Sequence, residues 1–214
     1  MTGAQALTML MARMSRSNTA LRANCLLELD LFQKMTLEKG PIMPDFLIER
    51  DTTVALTAAN RRFTLPTNFL RELDEDETLF ILDDDGVYHP MEKMDYEDPI
   101  DQSQFTSADT GSLPLVYSLE GLYGYTWPIP TVNRTLKMNF YATGGTVADD
   151  GVETVWLKHA SDLLLGGAGT IINALYVKDA EAATVFAAME QRGMARLITE
   201  QTARAEAGRS RRMG

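Results

Sequence analysis

The chain has 214 residues and a formal net charge of −10, from 30 acidic and 20 basic residues. This length suits one large domain or two small ones. One cysteine and two histidines exclude an internal disulfide framework and any multi-cysteine or histidine-rich metal site. The acidity argues against a general nucleic-acid coat, which needs a basic surface. We therefore expect a structural or binding protein, not an enzyme, and no cofactor.

No targeting or membrane segment is visible. The N-terminus lacks the basic segment and continuous apolar run of a signal peptide. The most apolar stretch, residues 163–177, is 15 residues long and contains Asn173, whereas roughly 20 residues are needed to span a bilayer. We expect a soluble protein made in the cytoplasm.

The N-terminal segment has helical periodicity, with an apolar face at Leu7, Leu10, Met11 and Met14. Asn18 is suited to cap a second helix, which ends near Gly40. Its apolar face contains Leu21, Cys25, Leu29 and Phe32, and Leu27 and Leu31 are expected to widen that face. Cys25 is therefore predicted to be a buried, inert thiol.

From residue 54 the apolar period changes to two, which indicates strands. Val54 and Leu56, then Phe63 and Leu65, alternate with polar residues around a turn at 59–61. Residues 84–86, Asp-Asp-Gly, predict a tight hairpin turn, since glycine takes positive φ. Residues 122–127 and 134–141 are predicted as a pair of strands joined through Pro128-Ile129-Pro130.

The helical period returns after residues 144–145. It predicts a short helix at 153–159 and a helix with a stripe at Leu164, Ala168, Ile171 and Leu175. Asp179 is suited to cap a final helix whose shared face is Ala182, Phe186, Met189, Gly193 and Leu197. The glycines at 166, 167 and 169 lie inside a helical stripe, which favours close helix packing over a phosphate-binding loop.

Charge is unevenly distributed along the chain. Residues 72–101 carry 13 acidic residues against one basic residue, whereas residues 192–214 carry six arginines against two glutamates. The acidic segment fits either a solvated face or a surface that repels a polyanion. Residues 199–214 hold one large apolar residue, Met213, too little to offset about 1–2 kcal/mol of ordering per residue. We expect this end to be disordered unless a partner orders it. Its basic residues fit a solvated terminus or an arm that docks on an acidic surface.

These elements predict an α+β fold. Residues 1–42 and 150–207 would form a helical bundle, with a β-rich insertion at 45–145 that carries the acidic segment 72–101. Residues 208–214 would form a basic C-terminal tail.

Two sets of side chains support other functions. Four aromatic residues along the strands fit a half-buried core or, if exposed together, a carbohydrate-binding face: Tyr117, Tyr123, Tyr125 and Trp127. Glu97 and Asp98 are a weak candidate acid pair for glycan hydrolysis.

Three segments resemble the head–tail adaptor proteins of short-tailed and related bacteriophages, also called tail accessory factors or head-completion proteins. The first is RFTLPTNFL at 62–70. The second is YTWPIP at 125–130 leading to LKMNFY at 136–141. The third runs from Trp156 through HASDLLL at 159–165 to YVKDAEAA at 176–183. The resemblance covers roughly residues 62–207, and the order and spacing of the segments carry it.

The resemblance implies a virion protein at the head–tail junction, assembled in the host cytoplasm. Such a protein forms a ring, typically of twelve subunits, beneath the portal, extends the DNA channel and attaches the tail. The implied partners are the portal protein, further copies of the chain, a downstream tail or nozzle protein and passing double-stranded DNA, which is not bound specifically. The implied portal-facing residues are Phe186, Met189, Leu197, Arg204, Arg209, Arg211 and Arg212. An acidic channel lining would involve Asp74, Glu75, Asp76, Glu77, Asp83, Asp84 and Asp85.

Overall fold

In a computed structural model, the chain is described at residues 1–14, 19–73, 78–94, 110–111 and 113–212, with side chains described as far as residue 203. Its contacts form two units. The helical unit is Met1–Leu47 with Thr143–Gly214, and the strand unit is Ile48–Ala142. Within the described residues there are five α-helices and several sheets, which confirms the α+β class. No helix in these ranges is long and apolar enough to cross a membrane.

The helical unit begins with α1, Gly3–Arg13, and α2, Thr19–Leu31. Thr2 and Gln5 form a capping box that satisfies backbone N–H groups at the start of α1. The predicted apolar face of α1 is confirmed, because Leu7, Leu10 and Met14 are buried. The predicted cap residue of α2, Asn18, lies outside the described residues. The helix α2 continues as a π-helical segment, Phe32–Leu37, and a 3-10 turn follows at Asp45–Leu47.

The C-terminal part of the helical unit has α3 at Val155–His159, α4 at Ser161–Ile172, a π-helical segment at Asn173–Val177 and α5 at Ala180–Arg212. Residues 163–169 of α4 are all buried, as expected for a helix with neighbours on several sides. The predicted stripe of α4 fails at Leu175, which is exposed. The reason is the change to π-helical winding at Asn173, which rotates later residues away from the buried face.

Glycines bring the neighbours of α4 close, as the sequence predicted. The ring of Phe32, at the end of α2, occupies the space of a side chain on Gly167. A Cβ added to Gly193 of α5 would lie 2.6 Å from the backbone nitrogen of Leu163 in α4. A Cβ added to Gly166 of α4 would lie 2.7 Å from Cα of Glu190 in α5. Only a missing side chain permits such an approach. The packing therefore places α2 and α5 against different faces of α4.

The strand unit contains eleven strands in the described residues. They are β1 Ile48–Leu56, β2 Arg62–Thr64, β3 Phe69–Glu72, β4 Leu79–Leu82, β5 Tyr88–Pro90, β6 Glu92–Lys93, β7 Thr110–Gly111, β8 Val116–Glu120, β9 Tyr123–Trp127, β10 Ile129–Pro130 and β11 Arg134–Ala142.

Strand β11 organises the first sheet, whose order is β1-β11-β4-β5, with β3 also paired to β11. The second sheet has the order β2-β9-β8-β6, and β7 and β10 form a short parallel pair. Leu136, Met138 and Phe140 point to the buried side of β11, which confirms the predicted alternation. Residues from both sheets, including Leu56, Phe63, Ile81 and Tyr117, form one core.

One strand-pairing expectation is wrong. Residues 122–127 and 134–141 contain strands as predicted, but β9 pairs with β2 and β8, whereas β11 pairs with β1, β3 and β4. The segment through the cis peptide Trp127–Pro128 thus connects two sheets. The turn at residues 59–61 likewise separates β1 and β2 into different sheets. Alternation fixes which face of a strand is buried, not which strand lies beside it.

Candidate attachment and channel surfaces

The helix α5 carries the residues predicted to face a portal. Asp179 accepts a hydrogen bond from the N–H of Ala182 at 3.0 Å, so the predicted N-cap is confirmed. The preceding residue, Lys178, has φ +59 and ends the π-helical segment before α5 begins. The start of the helix is therefore fixed by a side-chain cap and a sharp reversal of the backbone.

Three predicted portal-facing residues lie inside the single chain. Phe186, Met189 and Leu197 are buried, and the ring of Phe186 packs against Gly169 of α4. Nη1 of Arg13 lies 3.4 Å from Sδ of Met189, and its Cζ lies 5.9 Å from the ring centroid of Phe186. A direct portal contact by these three side chains would require α5 to separate from its neighbours. Their role at a portal stays a prediction.

The expectation of a disordered C-terminus is wrong for the single chain. The α5 backbone is helical through Arg212, which includes positions 204, 209, 211 and 212 of the predicted portal-facing set; side chains beyond residue 203 lie outside the described residues. Gln201 donates a hydrogen bond from Nε2 to the carbonyl oxygen of Met43 at 2.7 Å. Helix propagation adds one hydrogen bond per residue after nucleation, and alanine, arginine and glutamate favour it. The estimate based on burial alone omitted this contribution.

The described part of the acidic segment contains a tight hairpin between β4 and β5, as predicted. Gly86 has φ +80, and Oδ1 of Asp83 accepts hydrogen bonds from the N–H groups of Asp85 and Val87 at 2.9 and 2.8 Å. Oδ2 of Asp83 lies 2.7 Å from Nε2 of His89. The hydrogen bond with His89, followed by that with Val87 N–H, lowers the pKa of Asp83. Asp83 thus holds the turn together.

Asp84 binds a cation of its own chain. Its Oδ1 lies 2.6 Å from Nη1 of Arg134, and its Oδ2 lies 3.1 Å from Nη2. This bidentate hydrogen bonding, together with the charge of Arg134, lowers the pKa of Asp84 and raises that of Arg134. Arg134 is buried and Asp84 is exposed. The hairpin is therefore less negative than its sequence suggests. The carboxylate of Asp85 is exposed and takes no part in the pairs that Asp83 and Asp84 form.

The other predicted channel residues, Asp74, Glu75, Asp76 and Glu77, lie outside the described residues, as do Glu97 and Asp98. The acidic channel lining stays a prediction. In the described part of the acidic segment, Lys93 Nζ lies 3.0 Å from Glu72 Oε1, so the one basic residue of the segment is also paired.

The four aromatic residues do not form one face. In the β8–β9 ladder, Tyr117 lies opposite Thr126 and Ser118 lies opposite Tyr125. Directly opposed residues point to the same side of a sheet, so buried Tyr117 points away from the side shared by the β9 aromatics. Those are Tyr123, Tyr125 and Trp127. Cζ of Arg62 lies 4.4 Å from the centroid of Tyr123. The carbohydrate-binding alternative would rest on three residues instead of four.

Comparison with known proteins identifies the family of this chain. Residues 18–214 match the family described as SU10 adaptor protein. The chain belongs to the SU10 adaptor protein family. This confirms the resemblance to phage head–tail adaptors. No curated protein sequence matches the chain.

Membership in the SU10 adaptor family supports a coarse functional statement. The family indicates a phage adaptor role, a virion component that interacts in general with portal and tail proteins. Proteins of this structural family are generally non-enzymatic. In the described residues, no three histidine, cysteine or acidic side chains gather as metal ligands would.

Sequence reasoning placed two leucines of this SU10 adaptor on the wrong side of α2. Leu27 and Leu31 were expected to widen the buried face, but they are 52% and 40% exposed. The buried side of α2 already holds Leu21, Cys25 and Leu29. The sequence did contain a sign of this exposed apolar surface, because α2 has more leucines than one buried stripe needs.

Proposed function

We propose that this protein forms a ring beneath the phage portal, extends the DNA channel and provides the attachment site for the tail. The observation that carries the proposal is the family match over residues 18–214. The predicted partners are the portal protein, further copies of the chain in a ring of about twelve subunits and a downstream tail or nozzle protein. Assembly would take place in the host cytoplasm, and the site would be the head–tail junction.

The C-terminal part of α5 is the proposed portal contact. Residues 199–212 are helical, and the tail contains Arg209, Arg211 and Arg212. Guanidinium groups pair with carboxylates through bidentate hydrogen bonds, so an acidic portal surface would be a suitable acceptor. Phe186, Met189 and Leu197 would contribute indirectly, because their packing holds the first half of α5 in place.

A pair of double variants tests the portal contact. Arg209→Glu with Arg211→Glu is expected to abolish co-purification with the portal of the same phage. Arg192→Glu with Arg196→Glu makes the same change in net charge at exposed positions of the same helix and is expected to bind normally. Equal binding by both variants would remove the C-terminal arginines from the mechanism. Deletion of residues 199–214 should leave a folded protein that does not bind the portal.

The acidic segment is the proposed channel lining. An anionic surface repels the DNA backbone and keeps it from adhering. With Asp83 and Asp84 engaged by His89 and Arg134, this role would depend mainly on residues 74–77 and Asp85. Cryo-electron microscopy of the particle tests it directly. A map that places residues 74–85 on the outer wall of the ring would contradict the lining, without affecting the adaptor role.

A further inference from the structure

The chain passes between the two units twice, and both passages lie beside the same tryptophan of the helical unit. The chain leaves the helical unit after Leu47 and re-enters it at Thr143. Before the first passage, the ring of Phe46 meets Trp156 of α3 edge to face, with ring centroids 5.2 Å apart. After the second passage, a Cβ added to Gly144 would lie 2.2 Å from Cδ1 of Trp156. Trp156 is 1% exposed, so one buried ring holds both passages from inside the helical unit.

Two buried polar side chains bind the backbone of the second passage. The N–H of Gly144 donates a hydrogen bond to Oε1 of Glu38 at 2.8 Å. Nε2 of Gln33 donates to the carbonyl oxygen of Gly145 at 2.6 Å and to the same Oε1 of Glu38 at 2.9 Å. Gln33 and Glu38 are 0% and 3% exposed, although glutamine and glutamate usually lie at the surface. We call Gln33, Glu38 and Trp156 the clamp.

The clamp holds a glycine pair that directly follows β11. The second glycine has φ +86, and glycine loses more conformational freedom on ordering than any other residue. The chain is fixed again a few residues later, because Asp30 Oδ1 accepts a hydrogen bond from the N–H of Val147 at 3.1 Å. Arg22 then forms a bidentate ion pair with Asp149. The segment whose conformation depends on the clamp is therefore limited to residues 143–145.

The charge of Glu38 opposes closure of the clamp. Burying a carboxylate is costly unless a cation or several hydrogen bonds replace the lost water. Within the described part of the helical unit, Glu38 accepts hydrogen bonds from amide groups and forms no ion pair. Opening the clamp would return this carboxylate to water, so its hydration works against the hydrogen bonds that keep the clamp closed. The closed state is therefore held by the difference between two opposing contributions, as in a contact that can switch.

We propose that residues 143–145 are a hinge between the two units and that Glu38 is its lock. When Glu38 releases the N–H of Gly144, the glycine pair regains its conformational freedom, and the strand unit can turn while the helical unit keeps its fold. The first passage has no comparable linker, because the 3-10 turn Asp45–Leu47 leads directly into β1. That passage is the fixed side of the hinge.

The hinge separates the two surfaces that the proposed function uses. The strand unit contains the acidic segment, whereas the helical unit contains α5 with its C-terminal arginines. With the lock open, the acidic segment could change its orientation while α5 stays attached to a portal. The proposed function enters only in this consequence, since the hinge and its lock are assigned from the contacts of the clamp.

Distances between two spin labels test the hinge in the full chain. Leu122→Cys in the strand unit and Val185→Cys in the helical unit replace side chains that are 75% and 56% exposed. A Cys25→Ala background leaves no third thiol to label. Double electron–electron resonance is expected to give a narrow distance distribution with the native clamp, and a wider one with a second population for Glu38→Ala. The amide hydrogen of Gly144 should exchange at least about tenfold faster in Glu38→Ala.

Two further substitutions separate a lock from a merely structural carboxylate. Glu38→Gln keeps an oxygen that can accept the N–H of Gly144 and removes the charge, so the narrow distribution should be retained. Glu28→Ala is the matched control. Glu28 is also a buried carboxylate, 8% exposed, but it accepts a hydrogen bond from the hydroxyl of Tyr176 at 2.8 Å instead of binding a passage. Its loss should lower the thermal midpoint without widening the distance distribution.

A glycine substitution opens the hinge without changing Glu38. Gly144→Ala forces a methyl group against the ring of Trp156 and should displace the passage from the clamp, which widens the distribution as Glu38→Ala does. Gly151→Ala adds the same methyl group where space is open and should leave the distribution narrow. Far-UV circular dichroism and thermal midpoints check that every variant is folded. If Glu38→Ala does not fold, the comparison of Gly144→Ala with Gly151→Ala still decides.

Three results would overturn the hinge. The first is an equally narrow distribution for Glu38→Ala, Gly144→Ala and the chain with the native clamp. The second is a distribution that is already as wide with the native clamp as without Glu38, and the third is equal widening by Glu28→Ala. All three leave the adaptor role standing, because that role is tested by co-purification with the portal. Loss of the adaptor role would likewise leave a hinge measured in the isolated chain intact.

Discussion

Removing the ring of Phe186 should destabilise the helical unit strongly. Phe186 is 3% exposed, and its ring lies so close to Gly169 that a Cβ added there would be 2.6 Å from Cγ of the ring. Phe186→Ala is expected to lower the free energy of unfolding by about 3–5 kcal/mol, through lost burial and the cavity left behind. The preceding residue, Val185, is 56% exposed, so Val185→Ala should change stability by less than about 0.5 kcal/mol.

A second substitution makes this reasoning sharper, because its effect should change sign. Gly169→Ala alone forces a methyl group into the ring of Phe186, which costs about 1–3 kcal/mol and outweighs a helix-propensity gain of up to about 1 kcal/mol. In the Phe186→Ala background the ring is absent, and the same Gly169→Ala change should be stabilising. Urea unfolding of all four proteins, followed by circular dichroism, measures the coupling.

The change in sign of the Gly169→Ala effect is the result that can refute this reasoning. If Gly169→Ala destabilises the chain equally with and without the Phe186 ring, then the close approach of α4 and α5 is not limited by this contact. A loss of less than about 1 kcal/mol for Phe186→Ala would show that the site collapses or is hydrated. Portal binding by Phe186→Ala must be measured well below its thermal midpoint, since unfolding alone would abolish binding.

Three further results are expected. Gly124→Ala should destabilise the strand unit by about 1–3 kcal/mol, because its methyl group would overlap a buried phenylalanine ring on β2, whereas Gly151→Ala, with open space around it, should change the thermal midpoint little. Arg134 lowers the pKa of Asp84 in the folded state. The ion pair therefore stabilises the fold fully at pH values above the pKa of Asp84 in the unfolded chain, near 3.9. This stabilisation is lost as the pH falls through the lower pKa of the folded state. The difference in thermal midpoint between the wild-type chain and Asp84→Asn should therefore be present at pH 7 and shrink below about pH 4; a constant difference would contradict the pairing. Burial raises the pKa of Cys25 to about 11, so the native thiol should react with a disulfide reagent at pH 8 far more slowly than the urea-unfolded thiol.

The helices were predictable from the sequence because their signals are local. Each signal depends on residues within a few turns of one another. Examples are the Asp179 cap, the glycines of α4 and the buried face of α5. The failure at Leu27 and Leu31 has a different origin. Apolar spacing shows that a helix face is hydrophobic, but it does not show whether the same chain or another covers that face.

The sheets were less predictable because their partners are distant in sequence. Strand β11 pairs with β1 across about eighty residues, and no local pattern encodes that choice. The pairing of Arg134 with Asp84 is hidden for the same reason, since the two lie 50 residues apart. The candidate channel surface thus includes a charge partner that an acidic run in the sequence does not reveal.

The helical C-terminus changes the energetics of the proposed portal contact. A disordered arm would lose about 1–2 kcal/mol of conformational freedom per residue on docking, which reduces affinity for a given contact area. Because α5 is already helical through Arg212, a portal would meet preorganised backbone, and less of the contact energy would be spent on ordering. What selects the partner is then the placement of arginines along an existing helix. Recognition at the portal would depend on where those charges lie, not on a folding transition.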